Sequence, residues 1–282
     1  MSSDEVIHRT HDRQQGHWGD ELADGLAYAE RLSRRKVLTG VAAGLAALLL
    51  ERPTRLVAQT AAGMANERSD AVKTGRFVFP RLQFTNVDPT YKHWNVGPMG
   101  DAILRRELKK LSNVNVSDEP KIVRLSAMDD MVRFPFVFMT SGGSFELPPE
   151  EIKNMGEYFE RGGFIFADDC MWEGAGDKDR FFQSYLKLVS KIFPDNPMRE
   201  IPVDHEIFHS YFDFPKGCPH MQGTRYRTSN AAGLFEPGTG RLMTFISPGD
   251  LHCGWCSQWW TPAQNLESIK MGINVLIYYL SH

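Results

Sequence analysis

The chain has 282 residues, of which 42% are hydrophobic and 11% aromatic, and its formal net charge at pH 7 is −3. This apolar content is sufficient for a sizeable folded core, which excludes an intrinsically disordered chain. The net charge is slightly negative and no basic stripe persists through the C-terminal part of the chain, so we expect no nucleic-acid partner.

The N-terminal region carries a candidate export signal. Arg34 and Arg35 stand shortly before an apolar run from Val37 to Leu50. Paired arginines before a short hydrophobic segment are typical of a twin-arginine export signal. A membrane-spanning helix needs roughly 20 apolar residues, so this shorter run predicts no stable transmembrane span.

Residues 1–65 are therefore predicted to be an export leader and an alanine-rich linker. The leader is either cleaved among the small residues of 58–65 or retained as a membrane anchor. The signal implies that the twin-arginine translocase is a partner during export and that the protein is periplasmic or otherwise extracytoplasmic. The remaining chain, about 200 residues, suits one α/β domain, which we place at residues 75–282.

The exported part of the chain alternates predicted strands and helices. Phe136–Met139 and Phe164–Ala167 are apolar at every residue, which is typical of strands buried on both faces of a parallel sheet. Apolar residues at helical spacing and prolines at helix starts predict the helices between them. The alternation favours a doubly wound, mostly parallel sheet. The predicted strands are Arg76–Phe84, Phe136–Met139, Phe164–Ala167 and Gly240–Ile246, and the predicted helices are Pro98–Leu111, a helix between Leu147 and Arg161, Phe181–Phe193 and Leu266–Leu280.

Three sequence blocks carry a resemblance to a known family. They are Glu157–Asp169, Pro202–His209, and Gly240–Met243 with the Gly-Asp-Leu that follows at 249–251. Together they resemble a bacterial family known as a domain of unknown function, number 4159, across about residues 75–282. That family is similar to class I glutamine-amidotransferase and trehalose-utilisation folds. The resemblance therefore implies a flavodoxin-like, doubly wound, mostly parallel sheet.

The resemblance does not imply amidotransferase chemistry. In those relatives a nucleophilic cysteine sits on a sharp turn after the strand that corresponds to Phe164–Ala167. This chain has Asp168, Asp169 and Cys170 at that place, without the glycines that flank the nucleophile. It also has no clear later His-x-Glu pair to complete a catalytic triad.

Two carboxylates follow the predicted strand Phe164–Ala167. Asp168 and Asp169 should lie at the carboxyl edge of the sheet, where ligands bind in open α/β folds. They are candidate catalytic residues, because paired carboxylates can hold a metal or act as acid and base. The alternative is that one of them caps the following turn or helix while the other faces solvent.

Two histidines four residues apart form a second candidate site. On a helix or on an extended segment, His205 and His209 would share a face suitable for a metal ion. His205 is also a candidate catalytic residue. The alternative is that His205 forms a hydrogen bond inside a packed loop, with Asp204 as a candidate partner.

The segment 250–256 contains the densest group of candidate metal ligands, namely Asp250, His252, Cys253 and Cys256. A Cys-x-x-Cys pair can bind a divalent transition metal such as zinc, form a disulfide, act as a redox dithiol or remain as buried thiols. A complete zinc site would need further ligands, which the 204–209 segment supplies only if the fold brings the two together.

The other two cysteines and three tryptophans leave further alternatives open. Cys170 and Cys218 either pair with each other or bind the same metal. The tryptophans at 255, 259 and 260 form a stacking platform for a sugar ring or a peptide, or they cover the edge of the core.

Three functions are compatible with these residues. The leading hypothesis is a metal-dependent enzyme, hydrolytic in type, in which a carboxylate or histidine deprotonates a metal-bound water. The alternative is a non-catalytic module of the cell envelope that binds a glycan or a partner protein. The third is a redox protein that uses Cys253 and Cys256 as a dithiol.

Overall fold

The computed structural model describes residues 75–87, 94–170, 179–221, 230–256 and 260–282. The predicted leader, with Arg34 and Arg35, lies outside these ranges. The strands are β1 (Pro80–Gln83), β2 (Lys121–Arg124), β3 (Phe136–Ser141), β4 (Phe164–Asp169), β5 (Arg199–Glu200), β6 (Ala232–Phe235) and β7 (Leu242–Ser247). The helices are α1 (Pro98–Leu111), α2 (Met128–Met131), α3 (Pro149–Glu160), α4 (Arg180–Ile192), α5 (Leu251–Cys256) and α6 (Pro262–Ser281), with a 3-10 turn at Glu206–Phe208.

The seven strands form one sheet in the order β2-β1-β3-β4-β7-β6-β5. The first five of these are parallel to one another, whereas β6 runs antiparallel to both β7 and β5. The prediction of an α/β fold with a mostly parallel sheet is confirmed. The chain adds β2 on one side of β1 and then returns for β3 on the other, so the strand order reverses between β1 and β3.

Apolar side chains cover both faces of the central strands. Phe136 and Phe138 of β3 belong to the core cluster under α1, α5 and α6. Val137 and Met139 belong to the cluster on the opposite face, under α3 and α4. Because side chains alternate between the two faces of a strand, a strand with helices on both sides needs an apolar residue at every position.

The predicted elements are present, although β1 covers only Pro80–Gln83 of the predicted Arg76–Phe84 and α6 begins four residues before its predicted start. Helix α1 has the predicted bounds, and β4 extends two residues further than predicted, so that Asp168 and Asp169 are its last residues. The sequence analysis missed β2, β5, β6, α2 and α5. These elements have two to six residues, too few to show a clear period. None of the described helices has both the length and the hydropathy needed to cross a membrane.

Strands β3, β4 and β7 end at the same edge of the sheet, which we call the carboxyl edge. Ser141 pairs with Asp169, and Asp168 pairs with Ser247. Cys170 directly follows β4, and α5 begins four residues after the end of β7. The fold therefore brings the segment 168–170 close to the start of α5.

Candidate functional site

Asp168 and Asp169 bind the amino ends of two different helices. The Asp168 carboxylate accepts hydrogen bonds from the N–H groups of Leu251 (3.1 Å) and His252 (2.9 Å), which begin α5. The Asp169 carboxylate accepts one from the N–H of Phe182 (2.9 Å) in the first turn of α4. Helix starts leave N–H groups without intrahelical acceptors, so each carboxylate stabilises one helix start. Both side chains are buried, and neither faces solvent.

Each of these helices is preceded by an aspartate in the left-handed backbone region. Asp179 precedes α4 and Asp250 precedes α5, both with φ of 59°. Aspartate adopts this region more readily than most residues, although at a cost of roughly 1 kcal/mol or more. The turn into α5 therefore depends on Asp250. Gly249 serves a different purpose, because a Cβ there would lie 2.5 Å from the Pro219 carbonyl oxygen.

Three potential metal ligands meet at the carboxyl edge. The sulfurs of Cys170 and Cys253 and a ring nitrogen of His252 lie within 4.8 Å of one another. Cys170 follows β4, whereas His252 and Cys253 are consecutive in α5, whose start is fixed by Asp168. Cys170 and His252 are buried and Cys253 is partly exposed, so Cys253 is the most exposed member of the cluster.

The distance between the two sulfurs of the cluster lies between that of a disulfide bond and that of two thiolates on one zinc ion. They are 2.7 Å apart. A disulfide bond is about 2.05 Å long. Two thiolates on one tetrahedral zinc lie about 3.8 Å apart, because each Zn–S bond is about 2.3 Å. Either arrangement is reached by a relative displacement of about 1 Å or less.

A buried ion pair holds His252 on the side away from β4. Arg81 on β1 binds Asp101 on α1, with Nε–Oδ2 at 2.8 Å and Nη2–Oδ1 at 2.5 Å. His252 Nε2 lies 2.9 Å from Arg81 Nη2 and 3.4 Å from Asp101 Oδ1. Helix α1 comes this close because residue 100 is glycine, where a Cβ would lie 2.8 Å from His252 Nε2. Nε2 of His252 therefore has polar neighbours in both Arg81 and Asp101.

Burial and these hydrogen bonds shift the pKa values of His252 and of Asp101. Burial lowers the pKa of His252, which keeps the ring neutral at pH 7, the form that binds metals. Burial opposes ionisation of Asp101, but hydrogen bonds with His252 and Arg81 outweigh it and lower the pKa of that carboxyl.

Burial and neighbouring groups raise the pKa values of the acidic groups next to the cluster. Burial, followed by the charge of Asp250, raises the pKa of Asp168 well above its usual value, and burial does the same for Asp169. The hydrogen bond with Cys170, followed by burial, raises the pKa of Cys253. That hydrogen bond lowers the pKa of Cys170, but burial and the nearby carboxylates outweigh it, so this pKa also rises. A cation bound here would displace the thiol protons of Cys170 and Cys253, because thiol ligands bind metals as thiolates.

The structure places the His205 ring of the other predicted metal segment near the amino end of β7. The His205 ring packs against the rings of Phe235 (5.7 Å) and Tyr278 (5.5 Å), and Phe235 pairs with Leu242, where β7 begins. His252 lies beyond the last residue of that strand. A strand of six residues spans about 17–20 Å. Among the described residues, the donors that meet within 4.8 Å include neither His205 nor His209, so the two predicted metal segments do not form one ligand set.

The two histidines of that segment have structural partners. His205 Nδ1 accepts a hydrogen bond from the Ile207 N–H (3.2 Å), rather than bonding to its neighbour at 204. His209 Nδ1 lies 2.5 Å from Asp213 Oδ1, and its Nε2 lies 2.9 Å from the Val203 carbonyl oxygen. The Val203 hydrogen bond and then Asp213 raise the pKa of His209, because both partners accept hydrogen bonds from a protonated ring.

The tryptophans also differ in their placement. Trp255 is only 2% exposed, and its ring packs against Phe138 and Phe166 in the core. The Trp260 indole N–H donates to a backbone carbonyl, and Trp259 lies outside the described residues. Trp255 therefore belongs to the core and is unsuited to stack on a ligand.

Three other residues that the sequence singled out are Cys218, Cys256 and Asp250. The Cys218 sulfur lies 3.6 Å from Ser247 Oγ at the end of β7. The Cys256 side chain lies outside the described part of the chain, although its backbone ends α5. Asp250 accepts a hydrogen bond from the Cys253 thiol, so its carboxyl touches the cluster.

Sequence reasoning missed Arg81 and Asp101, and it considered Cys170 together with Cys218, as a disulfide pair or as ligands of one metal, rather than together with Cys253. Arg81 offered a signal, since it is a charged residue inside a strand whose other positions are mostly buried. Cys170 offered another, because it follows a strand that ends at the carboxyl edge. Their proximity to His252 depends on the strand order, which spacing along the chain does not reveal.

The domain that carries this site matches a known protein family. Residues 79–280 match the family described as Domain of unknown function (DUF4159). This range contains all three of the sequence blocks that carried the resemblance. Among curated proteins, none matches the chain. Because the family match spans well over half of the chain, the protein belongs to the DUF4159 family.

Proposed function

We propose that the protein is an exported metal-dependent hydrolase of the cell envelope. Its centre would hold a divalent transition metal such as zinc through Cys170, His252 and Cys253. The observation that carries this proposal is the convergence of these three donors within 4.8 Å at the carboxyl edge. Two thiolates and an imidazole form a ligand set suited to zinc. Binding would move the two sulfurs apart from their present 2.7 Å.

The number of ligands supports a catalytic role. Three protein ligands leave the fourth position of a tetrahedral zinc for water, as in catalytic rather than structural sites. Bound zinc supplies Lewis acidity, which lowers the pKa of such a water to about 7. Asp250 touches Cys253 and is held in place by its left-handed backbone, so we assign it the role of general base.

The fold agrees with a site at this edge. The parallel strands follow the order β2-β1-β3-β4-β7, which corresponds to the flavodoxin-like order. We therefore assign the domain to the flavodoxin-like folds, near the class I glutamine amidotransferases in architecture. In such sheets ligands bind outside the carboxyl ends of the strands, which is where Cys170 and α5 lie.

The location rests on the sequence of the leader. Arg34 and Arg35 before a short apolar run support export by the twin-arginine translocase to a periplasmic or other extracytoplasmic site. Export of a folded chain suits a centre that is loaded with metal in the cytoplasm. The net charge of −3 supports a small-molecule, glycan or protein substrate rather than a nucleic acid.

Metal binding is tested on the full chain purified after export. Elemental analysis should find one zinc per chain, and Co²⁺ added to the reduced, metal-free protein should give a thiolate-to-cobalt charge-transfer absorption. Cys170→Ser and Cys253→Ser should lose this absorption, whereas the matched control Cys218→Ser should retain it. A wild-type protein that binds neither metal in stoichiometric amount would contradict the proposal and favour a non-catalytic glycan- or protein-binding module.

Catalysis is tested with p-nitrophenyl acetate as a general ester probe. The zinc-loaded protein should hydrolyse the ester faster than the metal-free protein. Asp250→Asn should keep the metal and lower the rate by about 10²-fold, since general bases contribute roughly 10²–10⁴-fold. Asparagine also tolerates the left-handed backbone, so this variant should fold normally. Equal rates for the zinc-loaded wild type and Asp250→Asn would refute the role of Asp250.

A further inference from the structure

The cysteine pair of the cluster joins two distant parts of the chain. Cys170 follows β4 and Cys253 lies 83 residues later in α5. Their sulfurs are 2.7 Å apart, closer than two thiolates on one zinc and about 0.7 Å longer than a disulfide bond. The backbone on both sides is already fixed, because Asp168 binds the start of α5 through two hydrogen bonds.

We propose that Cys170 and Cys253 form a reversible disulfide, and that this disulfide and the metal centre are alternative states of the same two sulfurs. The second part rests on the proposed function, whereas the disulfide itself does not. A sulfur in a disulfide is no longer a thiolate, so oxidation removes two of the three metal ligands at once. His252 alone would not retain the metal.

The chemical step is a thiol–disulfide exchange with an external disulfide reagent, of the kind present in oxidising compartments. Cys253 is the more exposed of the pair, so its thiolate attacks one sulfur of the reagent and releases the first thiol. Cys170 then attacks the Cys253 sulfur of this mixed disulfide and releases the second thiol. The two cysteines lose two electrons and two protons, and the reagent is reduced to two thiols.

The structure also gives reasons for reversibility. Closing the bond requires a shift of less than about 1 Å, and Cys253 is the partly exposed residue of the pair, so a reducing thiol would approach from its side. A disulfide that a reductant can reach is of the labile, regulatory type. Reduction would restore the thiols that bind the metal.

The pairing is tested on the metal-free wild-type full chain treated with oxidised glutathione. The number of reactive thiols should fall by two, and peptide mapping by mass spectrometry should find Cys170 linked to Cys253. The control Cys218→Ser should give the same link. A link from Cys170 to Cys218, a link within the Cys253-x-x-Cys256 segment, or an unchanged thiol count would overturn the proposal.

The exclusion of metal is tested on the same preparations with Co²⁺ as the probe. The oxidised protein should bind Co²⁺ at least 100-fold more weakly than the reduced protein, and a reducing thiol should restore binding. Strong Co²⁺ binding to protein that carries the Cys170–Cys253 link would overturn the exclusion. If the link forms but the reduced protein binds no metal, the proposed function fails while the disulfide stands. If the reduced protein binds metal but no link forms, the disulfide proposal fails while the proposed function stands.

Discussion

Two segments of this chain carry histidines that the sequence predicted to bind a metal, and the surroundings of these histidines differ in the structure. In 204–209 the histidines support local structure: His205 packs on Phe235 near the amino end of β7, and His209 is bound to Asp213 and to a backbone carbonyl. In 250–256 a buried histidine lies beside two cysteine sulfurs at the carboxyl edge. This difference shows that the spacing of histidines along the sequence does not by itself identify a metal site. The position relative to the strand ends decides whether donors from separate elements converge.

The largest effect is expected where the 250–256 segment meets the buried ion pair. Arg81→Met should lower the free energy of unfolding by about 3–5 kcal/mol, because it leaves Asp101 as a buried charge without its guanidinium. At the other segment, Asp213→Asn removes a mostly exposed ion pair and should cost about 0.5 kcal/mol or less. Urea unfolding followed by tryptophan fluorescence measures both.

A double variant tests whether the unpaired charge of Asp101 causes the loss of stability in Arg81→Met. Arg81→Met combined with Asp101→Leu removes both charges and should recover much of the lost stability. If Arg81→Met costs no more than Asp213→Asn, the ion pair does not stabilise the carboxyl edge and the contrast between the two segments fails.

The next largest effect concerns metal affinity. His252→Ala should weaken Co²⁺ binding by at least about 100-fold, equivalent to about 2.7 kcal/mol, since it deletes a proposed ligand. His209→Ala should leave the affinity unchanged, because that ring is not among the described donors that converge at the carboxyl edge. Competition with a chromophoric chelator measures both constants. Equal losses in the two variants would assign the metal to another site.

The side chains that accept hydrogen bonds at helix starts should differ less, but still measurably, in their contributions to stability. Asp168→Ala leaves two buried N–H groups at the start of α5 without their acceptor and should cost about 2–3 kcal/mol. Asp168→Asn keeps one carbonyl acceptor and should cost less. His205→Ala removes the single acceptor of the Ile207 N–H and should cost about 1 kcal/mol. Urea unfolding that ranked His205→Ala above Asp168→Ala would contradict this account of the two segments.

The parts of the fold that the sequence predicted are those with a local signal. Helix α1 begins with Pro98 and has apolar residues at helical spacing, which defined both of its ends. The unbroken apolar runs of β3 and β4 indicated burial on both faces. By contrast, β2 has one buried residue in four and lies at the sheet edge, so its sequence shows no clear pattern.

The site was predictable only in part, for a physical reason. Asp168, Asp250, His252 and Cys253 were identified from residue type and from their place after strands. The contacts of Arg81 with His252 and of Cys170 with Cys253 join elements far apart in the chain. Such contacts are set by the order of strands in the sheet. A sequence pattern reports neighbours along the chain, and it does not report which strands lie side by side.

The smallest effect is the pH dependence that His209 contributes to stability. Its folded pKa is raised by the Val203 carbonyl and by Asp213, with a further contribution from Asp204. The contribution is therefore fully present below the unfolded pKa of about 6.5 and is lost as the pH rises through the higher folded value. Because the pair is partly exposed, the change should stay below about 0.5 kcal/mol.

This effect is isolated by comparing wild type with His209→Gln in urea unfolding at several pH values between 5 and 9. The stability advantage of the wild type should be greatest at the acidic end and should shrink as the pH increases. An advantage that grew with pH would mean that the folded protein favours the neutral ring. In that case a lone pair on His209 would be available to a metal, and the sharp distinction between the two segments would no longer hold.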